Sequence, residues 1–532
     1  MAEIESNSTL PWLLARRGRW LALVAALSLL AHLPFAGRPP GGTHVWRQCN
    51  TLAVARNFAE EEFNLLRPRV DRRYDTDGVT GMQFPSYEAI VAALYRTVGF
   101  SEAIPRVVNL LALLAAVAAL YDVAWQLSRS RIVAALAAWG LAWSPELFYM
   151  GFVALPDVLA LAASIGGLAA FLRWQQHRRV GAWLLALGGF TLAGLTKLQF
   201  LAVGLPVAVV VGTNALAGNY SRRQLGALVV LGAVSAAVPV AWYAYARQLI
   251  EASGLADFGL AVRPAPSWGE GSETLWRNVR TNLPEDLLGY VATVLLVVAV
   301  VTVWKSGGRR HWFFWPAVMW GAGLAAYHIA ELNQMRHHTY YMFPYLPLLM
   351  LGVGAGGAWL RPRLPGWAWG GILALMPLLT VARIVPARWL RTEPEVRGVP
   401  TAPAERSALA RLAPPGALAV VGPDDSGCIM LYLLHRKGFG FDYTGRLAEP
   451  APPPLPGGVA PLPAELQLPN FIRRGARVLY TTDSTVWHDP RLRPYLGPVL
   501  GRWGQLRVIE LRPDSGPAPA GTLPSPSGGG SE

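Results

Sequence analysis

The sequence predicts an all-α polytopic membrane bundle of about eleven transmembrane helices, followed by a small α/β domain. Three observations lead there. Of 532 residues, 53% are hydrophobic and 15% charged, with a mean hydropathy of +0.31. Soluble domains typically carry about 25% charged residues. The charge deficit is confined to the chain before about residue 390, which places a polar segment behind a membrane-embedded one. The apolar runs are long and continuous, whereas barrel strands alternate over about ten residues, so helices are expected.

A hydrocarbon core takes roughly 20 apolar residues per helix. On that measure the spans fall near 18–36, 105–127, 131–149, 154–173, 180–196, 199–217, 225–247, 286–304, 312–331, 341–360 and 366–386. The first follows Arg16, Arg17 and Arg19 and reads as a signal anchor. Arg129/Arg131, Arg173/Arg178/Arg179, Arg222/Arg223, Lys305/Arg309/Arg310 and Arg361/Arg363 fall on the same side as that cluster. The positive-inside rule then puts the N-terminus in the cytoplasm of an inner (plasma) membrane protein. An odd number of spans leaves the first loop and the C-terminal domain outside.

The first outer loop, 37–104, is the longest polar interval of the membrane domain, 1–390. Within it Asn50–Phe63 and Ser86–Val98 read as amphipathic helices lying flat at the interface. The first carries Leu52, Ala55, Phe58 and Ala59 at helical spacing, the second Ile90, Ala93, Leu94 and Thr97 on one face. In the extracytoplasmic domain, 391–513, Ala417–Gly422, Arg477–Thr481 and Leu506–Leu511 read as strands and Cys428–Arg436 as a helix. Residues 449–463 form a Pro-rich linker, and 514–532 a compositionally disordered tail.

The net charge of +14 comes from short basic clusters between apolar segments. That placement suits topology and anionic lipid headgroups, and no nucleic-acid partner is expected. Cys49 and Cys428 stand in no metal or disulfide spacing.

Ionisable groups at membrane depth are costly unless paired or facing a wet cavity, which makes each a candidate site residue. Asp157 follows Leu155-Pro156, as a helix-capping carboxylate or as a substrate or metal ligand. Lys197, in GLTKLQF, either snorkels or meets a lipid phosphate. Asp122, beside Trp125 and near Arg129, reads as structural. Arg336, His337, His338, Tyr340 and Tyr341 crowd one short loop. Tyrosines alone would make an aromatic belt; the added Arg and His pair offers donors for phosphate or sugar hydroxyls. In the first loop, Trp46-Arg47-Gln48 joins an aromatic platform to a guanidinium and an amide, either for sugar and phosphate binding or with Arg47 pairing Glu60, Glu61 or Asp71 and Trp46 anchoring the first helix at the interface. The run YDTDG at 74–78 reads as a carboxylate pair for a divalent cation or as a solvated turn.

These pieces, in order, are similar to a known superfamily. They are the WRQ-containing TLAVARNF helix, RPRVD at 67–71, QFPSYEAIVAALYRTVGFSEAIPRVVNLL at 83–111, ALPDVLAL at 154–161, GLTKLQF at 194–200 and HHTYYMFPYLPLL at 337–349. The chain resembles the C-type membrane glycosyltransferases that use polyprenyl-phosphate sugars, in particular the protein-mannosyltransferase-like and aminoarabinose-transferase-like group. LYLLHRKG and GARVLYTTD resemble the C-terminal domains of bacterial members. The resemblance implies transfer of a sugar from a polyprenyl-phosphate donor to a glycan, lipid or protein acceptor at the outer membrane face, by inverting displacement.

The family's acidic pair after the first span is replaced here by the WRQCN run, and its acidic-Lys-Pro-Pro element by Met82-Gln83-Phe84-Pro85. The base is therefore open among Asp157, His44 and Asp71. Arg47, Gln48, Gln83, Tyr87, Lys197, Arg336, His337, His338, Tyr340 and Tyr341 are candidates for substrate binding. No cofactor is assigned; a divalent cation stays open and metal ligands are unknown. A transporter or flippase for a lipid-linked saccharide, or a non-catalytic relative, are the alternatives, although no internal repeat supports a transporter.

Overall fold

Each apolar run forms a helix in the computed structural model of the chain, which describes residues 16–73, 76–255, 258, 260, 262–305, 312–390, 398–424, 426–441 and 464–512. The order begins with α1 (Arg17–His32), α2 (Val45–Glu60), α3 (Ser86–Val98), α4 (Ala103–Ser128) and α5 (Arg131–Ala142). Next come α6 (Pro145–Met150), α7 (Asp157–His177) and α8 (Val180–Thr196), then the 3-10 turns Leu198–Val203. α9 (Gly204–Leu216) and α10 (Arg222–Ser253) follow. α11 (Trp268–Arg277) runs on in wide turns to Leu287 and meets α12 (Tyr290–Lys305) at a 114° bend. α13 (Phe314–Ala330), α14 (Leu332–His337), α15 (Leu346–Leu360) and α16 (Gly366–Ile384) complete the bundle.

All eleven expected spans coincide with helix, but among the described residues only seven helices are long and apolar enough to cross a membrane alone, eight counting the bent pair. The chain is a multi-pass membrane protein. The expected span 131–149 is two helices: α5 ends at Ala142, and Ser144 takes extended backbone (ψ 120°) before Pro145, as a residue preceding proline prefers. Asp122 is held by Arg17 at 2.9 Å and also by Arg173.

α15 packs on α5 and α12 through a stripe of small residues. A Cβ added to Gly356 would collide with the Leu295 carbonyl of α12, and one on Gly354 with the Val133 carbonyl. Small residues let membrane helices approach this closely. Gly356→Ala is therefore expected to destabilise by about 1–3 kcal/mol through overpacking. Gly370→Ala, with open space around it, should be neutral or stabilising by up to about 1 kcal/mol. Thermal unfolding of the two variants in detergent measures the contrast.

Both expected helices of the first loop are present. α2 starts at Val45 and buries 13 of its 16 residues, polar ones included. It packs on α3 and on the C-terminal part. α3 has the expected bounds, and Tyr87, Glu88, Val91, Ala92 and Tyr95 are buried against protein. Ile90, Ala93 and Thr97 are exposed. In a membrane protein the apolar stripe can face lipid while the mixed face packs on protein.

The C-terminal part contains α17 (Pro403–Arg411), β1 (Leu418–Gly422), α18 (Ile429–Leu433), β2 (Gly438–Gly440), α19 (Ala464–Arg473), β3 (Ala476–Thr481), β4 (Leu496–Trp503) and β5 (Leu506–Leu511). The sheet order is β2-β1-β3-β5-β4, with β1 parallel to β2 and β3, and β5 antiparallel to β3 and β4. α18 is shorter than the expected Cys428–Arg436 helix, since His435 adopts a left-handed φ of 51°. The Pro-rich linker and the tail lie outside the described residues.

This sheet is fastened to the first loop. Arg73 N–H donates to the Gly438 carbonyl at 2.8 Å, and Gly438 N–H to that of Asp71 at 3.0 Å. Arg56 of α2 donates to the Tyr432 carbonyl at 3.0 Å and to the Asp71 carboxylate at 2.5 Å. Arg406 of α17 pairs with Glu102 at 2.9 Å.

Candidate active site

Polar residues from four separate stretches meet where the first loop closes on the ends of α7 and α8. Asp157 opens α7, behind Pro156, where the helix dipole favours a negative charge. It is 2% exposed, and among the described residues neither carboxylate oxygen accepts a hydrogen bond. Lys197 leaves α8 with extended backbone and brings its Nζ to 3.7 Å from Asp157 Oδ1. The same ammonium stands 5.4 Å above the Tyr341 ring.

Arg47 points inward from α2, with its guanidinium 4.3 Å over the Phe258 ring. Its Nη2 donates to Gln83 Oε1 at 2.8 Å, while the buried Nη1 has no partner among the described residues. Arg47 and Lys197 both act electrostatically on Glu88 and on His338, so the two cations share one region.

The third side is His44, His338 and Tyr340. His44 precedes α2 in a left-handed conformation, φ 59°. Its Nδ1 lies 3.2 Å from Nδ1 of His338, and its ring meets Tyr340 edge-on at 5.0 Å. Burial, reinforced by Arg388, lowers His44 to about 4. Burial and then the His44 charge lower His338 to about 2. Both imidazoles are therefore neutral near pH 7 and can share one hydrogen between them.

Behind them lies Glu146 of α6, 1% exposed, accepting from Thr339 Oγ1 at 2.7 Å with Arg388 Nη2 at 3.7 Å.

The structure thus brings Asp157, His44, Arg47, Gln83, Lys197, His338, Tyr340 and Tyr341 together. Other sequence candidates are committed elsewhere. Asp71 accepts from Arg56 and Asn57 of α2, 2.5 and 3.1 Å away, and is 1% exposed, so its carboxylate ties the following loop segment to α2 and steadies the Arg56 that reaches the Tyr432 carbonyl. The Gln48 amide donates to the Gly41 and Thr43 carbonyls at 2.8 and 3.1 Å, shaping the turn before α2. The Tyr87 hydroxyl donates to the Pro105 carbonyl at 2.8 Å. Arg336 pairs with Glu270 on α11. His337 is exposed beside His338.

Of the YDTDG run, Tyr74 and Asp75 lie outside the described residues, and Asp77 binds Arg67 and Arg69 at 3.1 and 3.3 Å. An open cleft of about 640 Å³ at the seam of loop and sheet contains none of the clustered residues. Its Glu60, Glu61, Arg73, His435 and Lys437 pair with one another.

Sequence reasoning passed over Glu88, Glu146, Arg388 and Thr339. Glu88 sits at 0% exposure on the inward face of α3, where burial raises it to about 7 despite Arg47, Gln83 and Lys197. Its spacing to Tyr87, Val91, Ala92 and Tyr95 was the available signal. Glu146 follows Ser144-Pro145 and reads in sequence as ordinary helix-start chemistry. The donor set does not fit a divalent cation well. The Lys197 ammonium stands beside Asp157, and among the described residues no three His, Cys, Asp or Glu side chains form a metal-holding group.

No protein-family profile and no curated protein sequence matches the chain. Solved structures do. ArnT from Cupriavidus metallidurans in the apo state aligns with a TM-score of 0.60 at 13% identity, over 94% of this chain and 99% of that one. The apo Archaeoglobus fulgidus oligosaccharyltransferase gives 0.53 at 13% identity, over 93% and 73%. Oligosaccharyltransferase AglB from Archaeoglobus fulgidus, with an inhibitory peptide and a dolichol-phosphate, gives 0.54 at 12% identity, over 90% and 72%. The chain has the fold of the C-type membrane glycosyltransferases.

Proposed function

We propose that this protein is a membrane glycosyltransferase that moves a sugar from a polyprenyl-phosphate carrier to an acceptor at the outer face of the membrane. The observation that carries the reading is the meeting of Lys197, Arg47 and Asp157 at the ends of apolar helices. Lys197 stands beside a buried carboxylate whose oxygens accept no hydrogen bond among the described residues, and Arg47, which acts with Lys197 on the same neighbours, keeps an N–H without a partner among them. The dolichol-phosphate held by the AglB structure supports a lipid phosphate as the ligand class.

In this reading an acceptor hydroxyl or amine gives its proton to Asp157 while its lone pair attacks the anomeric carbon from the face opposite the phosphate. The anomeric C–O bond breaks, its electron pair stays on the phosphate oxygen, and polyprenyl phosphate leaves with inversion. Lys197 and Arg47 offset the charge that develops on that oxygen. His44, His338, Tyr340 and Tyr341 form a polar and aromatic wall for the sugar. The N-terminus is cytoplasmic, and the sheet-bearing C-terminal part lies outside. No step is routed through a metal ion.

The test is a proteoliposome assay with lipid-linked sugars extracted from native membranes, reading both released polyprenyl phosphate and translocated lipid. Lys197→Ala is expected to lower kcat/KM by about 10–100-fold, corresponding to roughly 1.5–3 kcal/mol for a charged hydrogen bond. Translocation without release by the unaltered protein would identify a flippase instead. Neither activity, with lipid-linked sugar still bound, would identify a non-catalytic relative.

A further inference from the structure

Glu88 stands on the first turn of α3, wholly inside the protein, and the reaction above does not use it. Its Oε1 accepts from Gln83 Nε2 at 3.3 Å, and Gln83 Oε1 accepts from Arg47 Nη2 at 2.8 Å. Donor and acceptor types dictate the order of this row. A guanidinium only donates, so the Gln83 amide must turn its oxygen toward Arg47. The amide nitrogen then faces α3 and needs an acceptor, which a carboxylate supplies and an apolar residue would not. All three side chains are buried, so water does not substitute for any of them.

An acid used only to fill the core would be poorly chosen, since a buried polar atom without a partner is costly. Glu88 Oε2 has no hydrogen-bond partner among the described residues. It does have charge partners, Arg47 on α2 and Lys197 after α8.

We infer that Glu88 is a positioning residue for the lipid-phosphate donor: through Gln83 it aims Arg47, and it supplies the counter-charge that gives way, by taking up a proton, when the phosphate enters. The inference rests on the reading of this site as a lipid-phosphate pocket. Without donor, an ionised Glu88 offsets part of the charge of Arg47 and Lys197. A donor phosphodiester brings a permanent negative charge to the same two cations. Like charges disfavour each other's ionisation, so Glu88, already raised to about 7 by burial, moves higher and binds a proton from solvent.

His44 and His338 are lowered to about 4 and about 2. The Tyr87 hydroxyl is raised by burial and bonded to Pro105. Arg106 of α4 is bonded to the carbonyls of Arg38, Pro39 and Phe152.

The probe is citronellyl methyl phosphate, a prenyl phosphodiester with no pKa near 7, titrated calorimetrically into the detergent-solubilised full chain. Affinity should fall between pH 6.5 and 8.5, approaching about tenfold per pH unit, the limit for one coupled proton. At pH 7.5 the binding heats in two buffers of different ionisation enthalpy should report net proton uptake. Glu88→Gln should hold the low-pH affinity at every pH and take up no proton. A structural role alone would instead weaken binding uniformly and keep the slope. Zero proton uptake by the unaltered protein, or an unchanged slope in Glu88→Gln, overturns the inference even if that variant folds poorly, because the first is measured without it. No binding of the phosphodiester at any pH would count against the lipid-phosphate reading itself.

Discussion

Asp157→Asn is expected to cut the transfer rate by about 10²–10⁴-fold, the range attributable to a positioned general base. Protein yield and unfolding temperature should stay close to those of the unaltered chain. The amide keeps the shape of the carboxylate and its place at the start of α7, but it cannot accept the acceptor's proton. Lys197, 3.7 Å away, loses the anion it faces. Its whole charge is then available to the donor phosphate, so donor affinity should hold or rise while kcat falls. A fall in kcat with preserved donor binding is the signature of a group needed in the transition state. If Asp157→Asn kept full activity, the base would pass to His44, which is neutral and shares a hydrogen with His338. His44→Ala would then show the large loss.

The fold was legible because bilayer physics leaves few options: long apolar runs must be helices, and every expected span falls on helix, although 131–149 breaks at Ser144-Pro145 and, among the described residues, only seven helices are long enough to cross alone. Asp157 and Lys197 stand out in the sequence for the same reason, since an ionisable residue at membrane depth demands an explanation, and the structure sets them 3.7 Å apart. The reading failed where partners come from distant parts of the chain. The apolar stripe of α3, Ile90, Ala93, Leu94 and Thr97, reads in sequence as the face for the interface. The structure buries the other side, Tyr87, Glu88 and Val91, against protein. Which partners that second face meets is not written in the local sequence, and this hid Glu88. β2 is three residues, Gly-Phe-Gly, too short to show alternation. β4 carries Gly497, Pro498 and Gly501, residues that argue against a strand in sequence. Asp71 lay in a loop with several arginines, and only tertiary structure tells which one it meets.

Asp71→Ala should produce the largest loss of stability among the substitutions considered, about 3–5 kcal/mol, as expected when one member of a buried ion pair is removed. Arg56 would be left 4% exposed with its charge uncompensated, still tied to the Tyr432 carbonyl. The Asn57 amide would also lose its 3.1 Å acceptor. The damage should centre on the joint between α2 and the sheet, where Asp71 and Arg73 hydrogen-bond the backbone of Gly438. Arg56→Met/Asp71→Leu, which removes both charges, should recover much of the loss, because no buried ion is then unpaired. Thermal unfolding of the two single variants and the double variant tests this, with transfer assayed per folded molecule below the lowest transition. Asp71→Ala should then be nearly active once folded, whereas Asp157→Asn is folded and inactive. The opposite pattern, a stable Asp71→Ala protein without transfer, would return the base to the first loop and leave Asp157 as the carboxylate that starts α7.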